Sequence, residues 1–368
     1  MIYLDHAATT PTDPRVVDAM ARCMRDTWRN PSAAYSGAGA ARRTLRQARQ
    51  AIAGLLNAAP QEIVFTSGGT EANNLALTLA AGGHAVLSAI EHASVLNAAK
   101  ALCREVTLVA PDASGVVAPE AVERALRPDT RLVSVQLVNN ETGVIQPVAA
   151  IGALARSRRV PLHCDAVQAF GHLTVDVRAL NADLLSLSGH KLYGPRGVGA
   201  LYVRQGTPLR PLLAGGGQEF GLRAGTENLP AIRGLQVAAE LARADMAERA
   251  ERERALLRSF VEDLRARLPA LRPLGEGARR HPGLVALLLP GLSSERAIAA
   301  LDLKGVEVSG GAACASREAG VSHVYRAMGL GERDAACVLR ISIGRGTTEK
   351  DLRAAAEAME DVYKRESE

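Results

Sequence analysis

Lys191 closes the run Leu184-Leu185-Ser186-Leu187-Ser188-Gly189-His190-Lys191, ahead of Leu192-Tyr193-Gly194-Pro195 and the strand-like Gly199-Ala200-Leu201-Tyr202-Val203. Loops at strand ends are where chains place reactive groups, and a lysine boxed by Ser, His, Gly and Pro fits plain surface poorly. Twenty-six positions earlier (191 − 165 = 26), Leu162-His163-Cys164-Asp165-Ala166-Val167-Gln168 puts an acid at the end of another apolar run. An Asp after one strand and a Lys beyond a later one is the pair that pyridoxal phosphate uses. The Lys forms the Schiff base and the Asp keeps the pyridine nitrogen protonated. Taken alone, the pair is equally compatible with a solvated loop Lys and a structural Asp.

Other candidates surround this pair. Thr66-Ser67-Gly68-Gly69-Thr70-Glu71-Ala72 follows a strand and opens a helix, so its backbone N–H groups make either a phosphate cradle or a capped tight turn. It is not a Walker loop, because no Gly-Lys-Ser/Thr follows. Ser188 with His190 is a second phosphate candidate. Gly215-Gly216-Gly217-Gln218-Glu219, leading to Arg223-Ala224-Gly225-Thr226, is a third. Three successive glycines imply close backbone approach or positive φ. His92, in Glu91-His92-Ala93-Ser94, could stack on an aromatic cofactor and move protons, or simply cap a helix. Asn140, in Asn139-Asn140-Glu141-Thr142-Gly143, is either a hydrogen-bond donor to a ligand or a turn residue.

Of five cysteines, Cys314 stands apart, in Ser309-Gly310-Gly311-Ala312-Ala313-Cys314-Ala315-Ser316. Its small neighbours offer little bulk to bury it, so it is a candidate nucleophile. Cys103, Cys164 and Cys337 read as inert packing, and Cys23 in a helix-like stretch is ambiguous. Arg340 sits inside the apolar strand Leu339-Arg340-Ile341-Ser342-Ile343. A buried Arg needs an anionic partner, and a substrate carboxylate held by paired hydrogen bonds would supply one.

The elements that must position these residues alternate. Strands are expected at Glu62–Thr66, Ala85–Ser88, Thr107–Val109, Leu132–Leu137, Val160–Asp165, Leu184–Leu187 and Gly199–Val203. Helices are expected between them, at Thr70–Ala81, Ala93–Cys103, Pro119–Leu126 and Val148–Arg158. Val- and Leu-rich strands alternating with helices predict a mostly parallel sheet covered on both faces, with ligands beyond the carboxyl ends of its strands. Leu229–Leu268 reads as one or two long Ala/Glu/Arg-rich helices bridging to a smaller α/β module. That module should hold strands at Leu284–Leu289, Val306–Ser309 and Val338–Ile343, and helices at Glu295–Leu301, Val324–Met328 and Glu349–Lys364.

Composition narrows the field. A chain of 368 residues, 47 % hydrophobic and 23 % charged, is ordinary for a large globular protein. Aromatics at 3 % leave few stacking surfaces for nucleic acid, and the net charge of +5 is spread without a polybasic block. No apolar stretch approaches the ~18 residues of a membrane span. The chain opens on Ile2-Tyr3-Leu4-Asp5 with no charged-then-apolar leader. The cysteines form no Cys-x-x-Cys pair, which argues against a disulfide framework and a zinc ribbon, so no metal is expected and a reducing cytoplasm is the expected home.

Taken in order, these blocks resemble the cysteine desulfurases of the NifS/IscS type, pyridoxal-phosphate enzymes of the class V aminotransferase family with the fold-type-I architecture. The resemblance runs from Tyr3-Leu4-Asp5-His6-Ala7-Ala8-Thr9-Thr10-Pro11 to Arg340-Ile341-Ser342-Ile343-Gly344-Arg345. It implies a large cofactor-binding domain over residues 14–248 and a small domain made of 1–13 with 249–368, which carries the cysteine loop. By position, the resemblance implies the following roles, with Lys191 as the Schiff-base lysine and proton shuttle. Asp165 partners the pyridine nitrogen, Gln168 the ring oxygen, and His92 stacks on the ring. Gly69, Thr70, Ser188 and His190 hold the phosphate, with Thr226 reaching it from the other subunit. Asn140 and Arg340 grip the substrate carboxylate, Asn140 also lying against the cofactor, and Cys314 accepts sulfur. The chain departs from the usual Ser-Ser-Gly-Ser-Ala-Cys loop, and Tyr35 stands where a His is common. Little follows Lys364 in the sequence, so the resemblance leads one to expect a shortened form of the scaffold-docking tail of some relatives.

The resemblance therefore implies a homodimer that converts L-cysteine to L-alanine, with the sulfur held as a persulfide on Cys314 for an acceptor protein in iron–sulfur cluster or thiolation pathways. Neither membrane nor direct nucleic-acid partners are expected. Rival readings are transamination or selenocysteine lysis on the same fold, and a non-catalytic relative. Cys314 argues against transamination, which needs no nucleophilic thiol. The joint presence of Lys191, Asp165, His92 and Cys314 argues against lost chemistry.

Overall fold

The computed structural model describes residues 1–311 and 321–366 of the chain. A two-residue strand, β1 (Ile2–Tyr3), precedes helices α1 (Pro14–Asp26) and α2 (Gly39–Leu56). Asp13 accepts a hydrogen bond from the Arg15 N–H and Pro14 occupies the first turn, which sets the start of α1. Then come β2 (Ile63–Thr66), α3 (Gly69–Leu77), β3 (His84–Ser88), α4 (Ala93–Leu102), β4 (Glu105–Val109), α5 (Pro119–Ala125), β5 (Thr130–Ser134), α6 (Val148–Ser157), β6 (Leu162–Asp165), β7 (Leu184–Ser188) and β8 (Gly199–Val203).

These strands form one seven-stranded sheet in the order β2-β8-β7-β6-β5-β3-β4. Strand β8 runs antiparallel to both its neighbours, and the remaining pairs are parallel. Every residue of β2, β3, β6, β7 and β8 is buried, as expected of strands covered on both faces. The consequence for function is directional. Strands β2, β3, β5, β6 and β7 all end at one edge of the sheet, so the segments that follow them converge there.

Helix α7 (Leu229–Arg267) is a single helix of 39 residues, about 58 Å long at ~1.5 Å per residue. Asn228 caps its start through the Ala231 N–H, and Arg265 and Arg267 lie in its last turn, where cations suit the helix dipole. After it come β9 (Arg272–Pro273), β10 (Leu284–Leu288), α8 (Ser294–Leu303), β11 (Val306–Glu307), α9 (His323–Ala327), α10 (Glu332–Ala335), β12 (Val338–Ser342) and α11 (Glu349–Glu366). Strands β12-β10-β9 make a three-stranded antiparallel sheet, and β1 pairs in parallel with β11. The chain start is thus bound to the C-terminal region, with Asp5 bridged to Ser342. Leu4, Leu257, Leu287, Val306, Ile341 and Met359 belong to one hydrophobic core, while Val86, Val133, Leu162 and Leu187 belong to another under the large sheet.

Helix α7 also buries an acid. Glu253 is 1 % exposed, and neither carboxylate oxygen has a hydrogen-bond partner among the described residues. Burial pushes its carboxyl up from 4.5 to about 7, against the attraction of Arg249 and Arg252. In the folded chain it therefore keeps its proton to higher pH than in the unfolded chain. Stability present below about pH 4.5 is lost as pH rises to about 7. A Glu253→Gln protein should gain on the wild type by roughly 3 kcal/mol at about pH 8 and match it at about pH 4. Denaturant midpoints at the two pH values check this, and an equal difference at both would contradict it.

Candidate active site

The converging segments line a pocket of about 180 Å³. It gathers Ala7 and Ala8 from the chain start, Gly69, Thr70 and Asn73 from the head of α3, and His92 and Ser94 after β3. Gln136, Val138 and Asn140 come from beyond β5, Asp165, Val167 and Gln168 from the end of β6, and Ser188, His190 and Lys191 from the end of β7. Arg340 of β12 closes it.

Lys191 lies in a single 3₁₀ turn, Gly189–Lys191, and its Nζ donates to the carbonyls of Ala7 and Ala8, the latter at 2.8 Å. Asp165 is 6 % exposed. Its Oδ1 accepts from the Val167 N–H at 2.9 Å and its Oδ2 from Asn73 Nδ2 at 2.7 Å. These bonds fix the carboxylate at the pocket wall. The same Asn73 nitrogen donates to Ser94 Oγ at 2.9 Å, and Ser94 Oγ lies 2.7 Å from His92 Nδ1. Asn73 thus ties the acid of β6 to the imidazole at the head of α4.

His92 caps α4, its Nδ1 accepting from the Ser94 N–H. That bond leaves the ring proton on Nε2. Burial, opposed by Asp165 and aided by Lys191, holds its pKa below the usual histidine value, so the ring is neutral. Capping and lining a ligand site are therefore compatible roles here. Asn139, rather than Asn140, performs the turn. Its Oδ1 accepts from the Glu141 and Thr142 N–H groups, which leaves Asn140 to line the pocket.

Two acids lie beneath this wall. Glu91 is fully buried, accepts from the Gln136 N–H at 2.8 Å, and is held well above the usual carboxyl range by burial. Glu141 is likewise raised by burial and accepts from Ser322 Oγ at 2.6 Å. His190 is lowered to about 4 by burial and by Lys191 and Arg196 beside it, and its Nδ1 lies 3.1 Å from Thr9 Oγ1.

The donor set fits a phosphorylated pyridine. A helix N-terminus at Gly69–Thr70 presents backbone N–H groups toward anions. A Cβ at Gly69 would stand 2.7 Å from Val167 Cγ2, so a side chain here would displace Val167 from the pocket wall, and Ser188 Cβ lies within ordinary contact at 3.6 Å. A fixed carboxylate, a flat neutral imidazole and a primary amine line the same space. Gln168 is oriented by donating to the Ala7 carbonyl at 2.8 Å.

One expectation needs correction. Arg340 does not depend on a substrate for its counter-charge, because Asp5 Oδ1 lies 2.7 Å from Nη2 and the Asn140 carbonyl 2.9 Å from Nη1. The local strand pattern gave no hint of a partner 335 residues away. Nε of Arg340 is buried without a hydrogen-bond partner among the described residues, so this edge of the guanidinium still suits a carboxylate. The glycine-rich segment does not line its own chain's pocket and Thr226 is exposed, which leaves standing the expectation that it serves the other subunit's site. The triple glycine meets the close-approach alternative, a Cβ at Gly215 standing 2.7 Å from Ala224 Cβ, while positive φ falls on Glu219 (46°), Phe220 (62°), Gly221 (78°) and Gly225 (99°). Arg49 holds the strained stretch through paired bonds of 2.7 and 2.6 Å to Glu219, which also accepts from the Phe65 N–H.

Cys314 lies outside the described residues. Of the others, Cys164 is fully buried with its thiol pKa well above the usual value through burial. Cys23 is buried with Sγ 2.9 Å from Thr27 Oγ1, and Cys103 and Cys337 are half-buried.

Residues 2–354 match the family described as aminotransferase class-V. The chain belongs to that family. Among its curated relatives, the cysteine desulfurase IscS of Clostridium botulinum is 39 % identical, covering 100 % of this chain and 95 % of the relative. Cysteine desulfurase IscS 1 of Archaeoglobus fulgidus is 40 % identical over 99 % of this chain and 97 % of its own. The NifS-like protein of Rickettsia africae superposes with a TM-score of 0.91 at 33 % identity, covering 99 % of both chains. The structure of SspA in complex with cysteine gives a TM-score of 0.82 at 37 % identity, covering 93 % of this chain and 99 % of that one. Within the class-V family the chain falls with the cysteine desulfurases, which are pyridoxal-phosphate-dependent, and it shares their α/β fold. Among the described residues, no helix is long and apolar enough to cross a membrane.

Asn73, Asp5 and Ser94 are the pocket partners that sequence reasoning passed over. Asn73 carries one available signal. It lies one turn after Thr70 on the helix opened by the cradle, at the i+3 spacing that puts two residues on one face.

Proposed function

We propose that the chain desulfurates L-cysteine, giving L-alanine and a sulfur atom carried as a persulfide on Cys314. The observation that carries this is the single pocket uniting Lys191, Asp165, His92, Gln168, Ser188, His190 and Arg340 in a member of the desulfurase family. When bound, pyridoxal phosphate supplies the electron sink that acidifies Cα and loosens the Cβ–S bond.

The chain's own residues do the rest. Gly69, Thr70, Ser188 and His190 hold the phosphate, and Asp165 pairs with the pyridine nitrogen. Gln168 donates to the ring oxygen and His92 covers the ring face. The Lys191 amine takes the Cα proton and returns protons as alanine forms. Arg340 and Asn140 hold the substrate carboxylate. The Cys314 thiolate attacks the substrate sulfur, and an S–S bond forms as the Cβ–S bond breaks. Cβ is reduced as the two sulfurs are oxidised, so cysteine and a thiol give alanine and a persulfide with no outside oxidant. Equimolar alanine and sulfide from cysteine and a thiol reductant would support the reading. Pyruvate in place of alanine, or no turnover after reconstitution with pyridoxal phosphate, would contradict it.

The grip on cysteine is separately testable. Arg340→Lys keeps the charge but loses the planar fork. Its KM for cysteine should rise at least ~10-fold, the equivalent of about 1.4 kcal/mol. An unchanged KM would remove Arg340 from the site.

A homodimer with composite sites completes the proposal. Val17 and Met24 are 50 and 55 % exposed on α1, Trp28 just after it is 68 % exposed, Phe220 is 58 % exposed, and Thr226 lies outside its own chain's pocket. An apolar helix face in water suits a second copy, which would bring Thr226 to the partner's phosphate. Sedimentation showing a fully active monomer would rule this out. The sulfur leaves to an acceptor protein of iron–sulfur or thiolation chemistry.

A further inference from the structure

His172 lies outside the pocket and outside every motif read from the sequence. It follows β6 by seven residues, in the loop that also carries Asp165-flanking Val167 and Gln168. Its Nε2 is 2.9 Å from the Lys191 carbonyl oxygen, and its Nδ1 is 3.2 Å from Arg249 Nη1 on α7. The His281 ring sits against it, centroid to centroid 4.6 Å. A guanidinium only donates and a carbonyl only accepts, so a single neutral tautomer satisfies both contacts, with the proton on Nε2. Arg249 is itself fixed. It is 5 % exposed, donates to the Gly171 carbonyl, and lies 3.2 Å from Asp245 Oδ1.

The turn that carries Lys191 needs outside support. It is one turn of 3₁₀ helix, and Tyr193, two residues on, adopts φ 64°, a conformation that L side chains disfavour. Neighbouring groups pin it. Thr10 takes the His190 carbonyl through both its N–H and its Oγ1–H, and Thr10 Oγ1 accepts from the Tyr193 N–H at 2.7 Å. The Arg345 N–H donates to the Tyr193 hydroxyl at 2.7 Å. The carbonyl of Lys191 itself receives His172.

We propose that His172 is a positioning residue for the reaction proposed above: oriented by Arg249 at Nδ1, it holds the Lys191 carbonyl through Nε2–H and so fixes where the Lys191 amine is delivered. The inference rests on Lys191 being the proton carrier, as proposed above. Burial and the charge of Arg249 hold the His172 pKa down at about 3, so the ring stays a neutral donor across the working pH range. An error of about 1 Å in the placement of a catalytic group costs about 10²-fold in rate, so loss of this bond should act on kcat.

Three variants of the full-length holoenzyme test it. The Gln amide nitrogen reaches the place of Nε2, whereas that of Asn reaches only the place of Nδ1. His172→Ala should lower kcat about 10- to 100-fold with KM for cysteine within about 3-fold. His172→Gln should recover most of the loss and His172→Asn should not. Independently of turnover, ¹⁵N NMR of the wild-type protein should show His172 protonated on Nε2 alone, with no titration down to about pH 5. An Nδ1–H tautomer, or an unchanged kcat in both His172→Ala and His172→Asn while the wild type turns over cysteine, would overturn the proposal. If His172→Ala fails to fold, the Gln–Asn comparison and the tautomer still decide. A wild type that shows the Nε2–H tautomer but no cysteine turnover would instead count against the proposed function.

Discussion

A Lys191→Ala protein should fold, yet lose cysteine turnover by about 10⁴-fold or more and lose the yellow colour of lysine-bound pyridoxal phosphate. Two roles disappear at once, covalent attachment and proton transfer, and the pocket offers no second amine among its lining residues. Folding should survive because the turn around residue 191 is pinned by Thr10, Arg345 and His172 through backbone groups and the Tyr193 side chain. Visible absorbance and alanine formation at saturating cofactor check both losses. Retained colour with full turnover would mean that another group carries the chemistry.

A Cys314→Ala protein should fail at a later stage. It should bind pyridoxal phosphate as the wild type does and change its spectrum on addition of cysteine, because Lys191, Asp165, His92 and Arg340 are untouched. Release of alanine and sulfide should fall by about 10²-fold or more, because the nucleophile for the substrate sulfur is gone. Cys314 should also alkylate much faster than Cys164, which is fully buried with a raised thiol pKa. Full sulfide release by the Ala variant would show that sulfur leaves by another route.

How far the sequence announced this structure depends on the range of the interactions. Gly199–Val203 is a strand over its whole expected span, because a glycine bounds an otherwise apolar run. Leu229–Leu268 resolves into one unbroken helix, since nothing after Pro230 in its first turn interrupts the Ala/Glu/Arg pattern until Leu268. The strand expected at Leu132–Leu137 ends at Ser134, although Val135 and Leu137 still bond to the His163 and Asp165 carbonyls. There the apolar run continues past the ladder into the site.

The pocket was legible where chemistry sits just after a strand, as at Lys191, Asp165, His92 and Asn140. It was not legible where the partner is distant in the chain. Asp5 meets Arg340 only because β1 pairs with β11 and Asp5 bridges to Ser342. Arg249 meets His172 only because α7 crosses behind the loop after β6. Of the two alternatives for the triple glycine, close approach is the one met, since a Cβ at Gly215 would stand 2.7 Å from Ala224 Cβ. Positive φ falls later, on Glu219 and Phe220, where the buried ion pair of Glu219 with Arg49, distant in the chain, holds the segment.

The most direct test is where sulfur rests after one turnover. Wild-type protein should be mixed with one equivalent of L-cysteine without reductant, digested, and read by mass spectrometry. One added sulfur atom on the peptide containing Cys314, removed by dithiothreitol and matched by one alanine per active site, is the expected result. Extra sulfur on a peptide holding Cys23, Cys103, Cys164 or Cys337, with Cys314 unmodified while alanine accumulates, would contradict it.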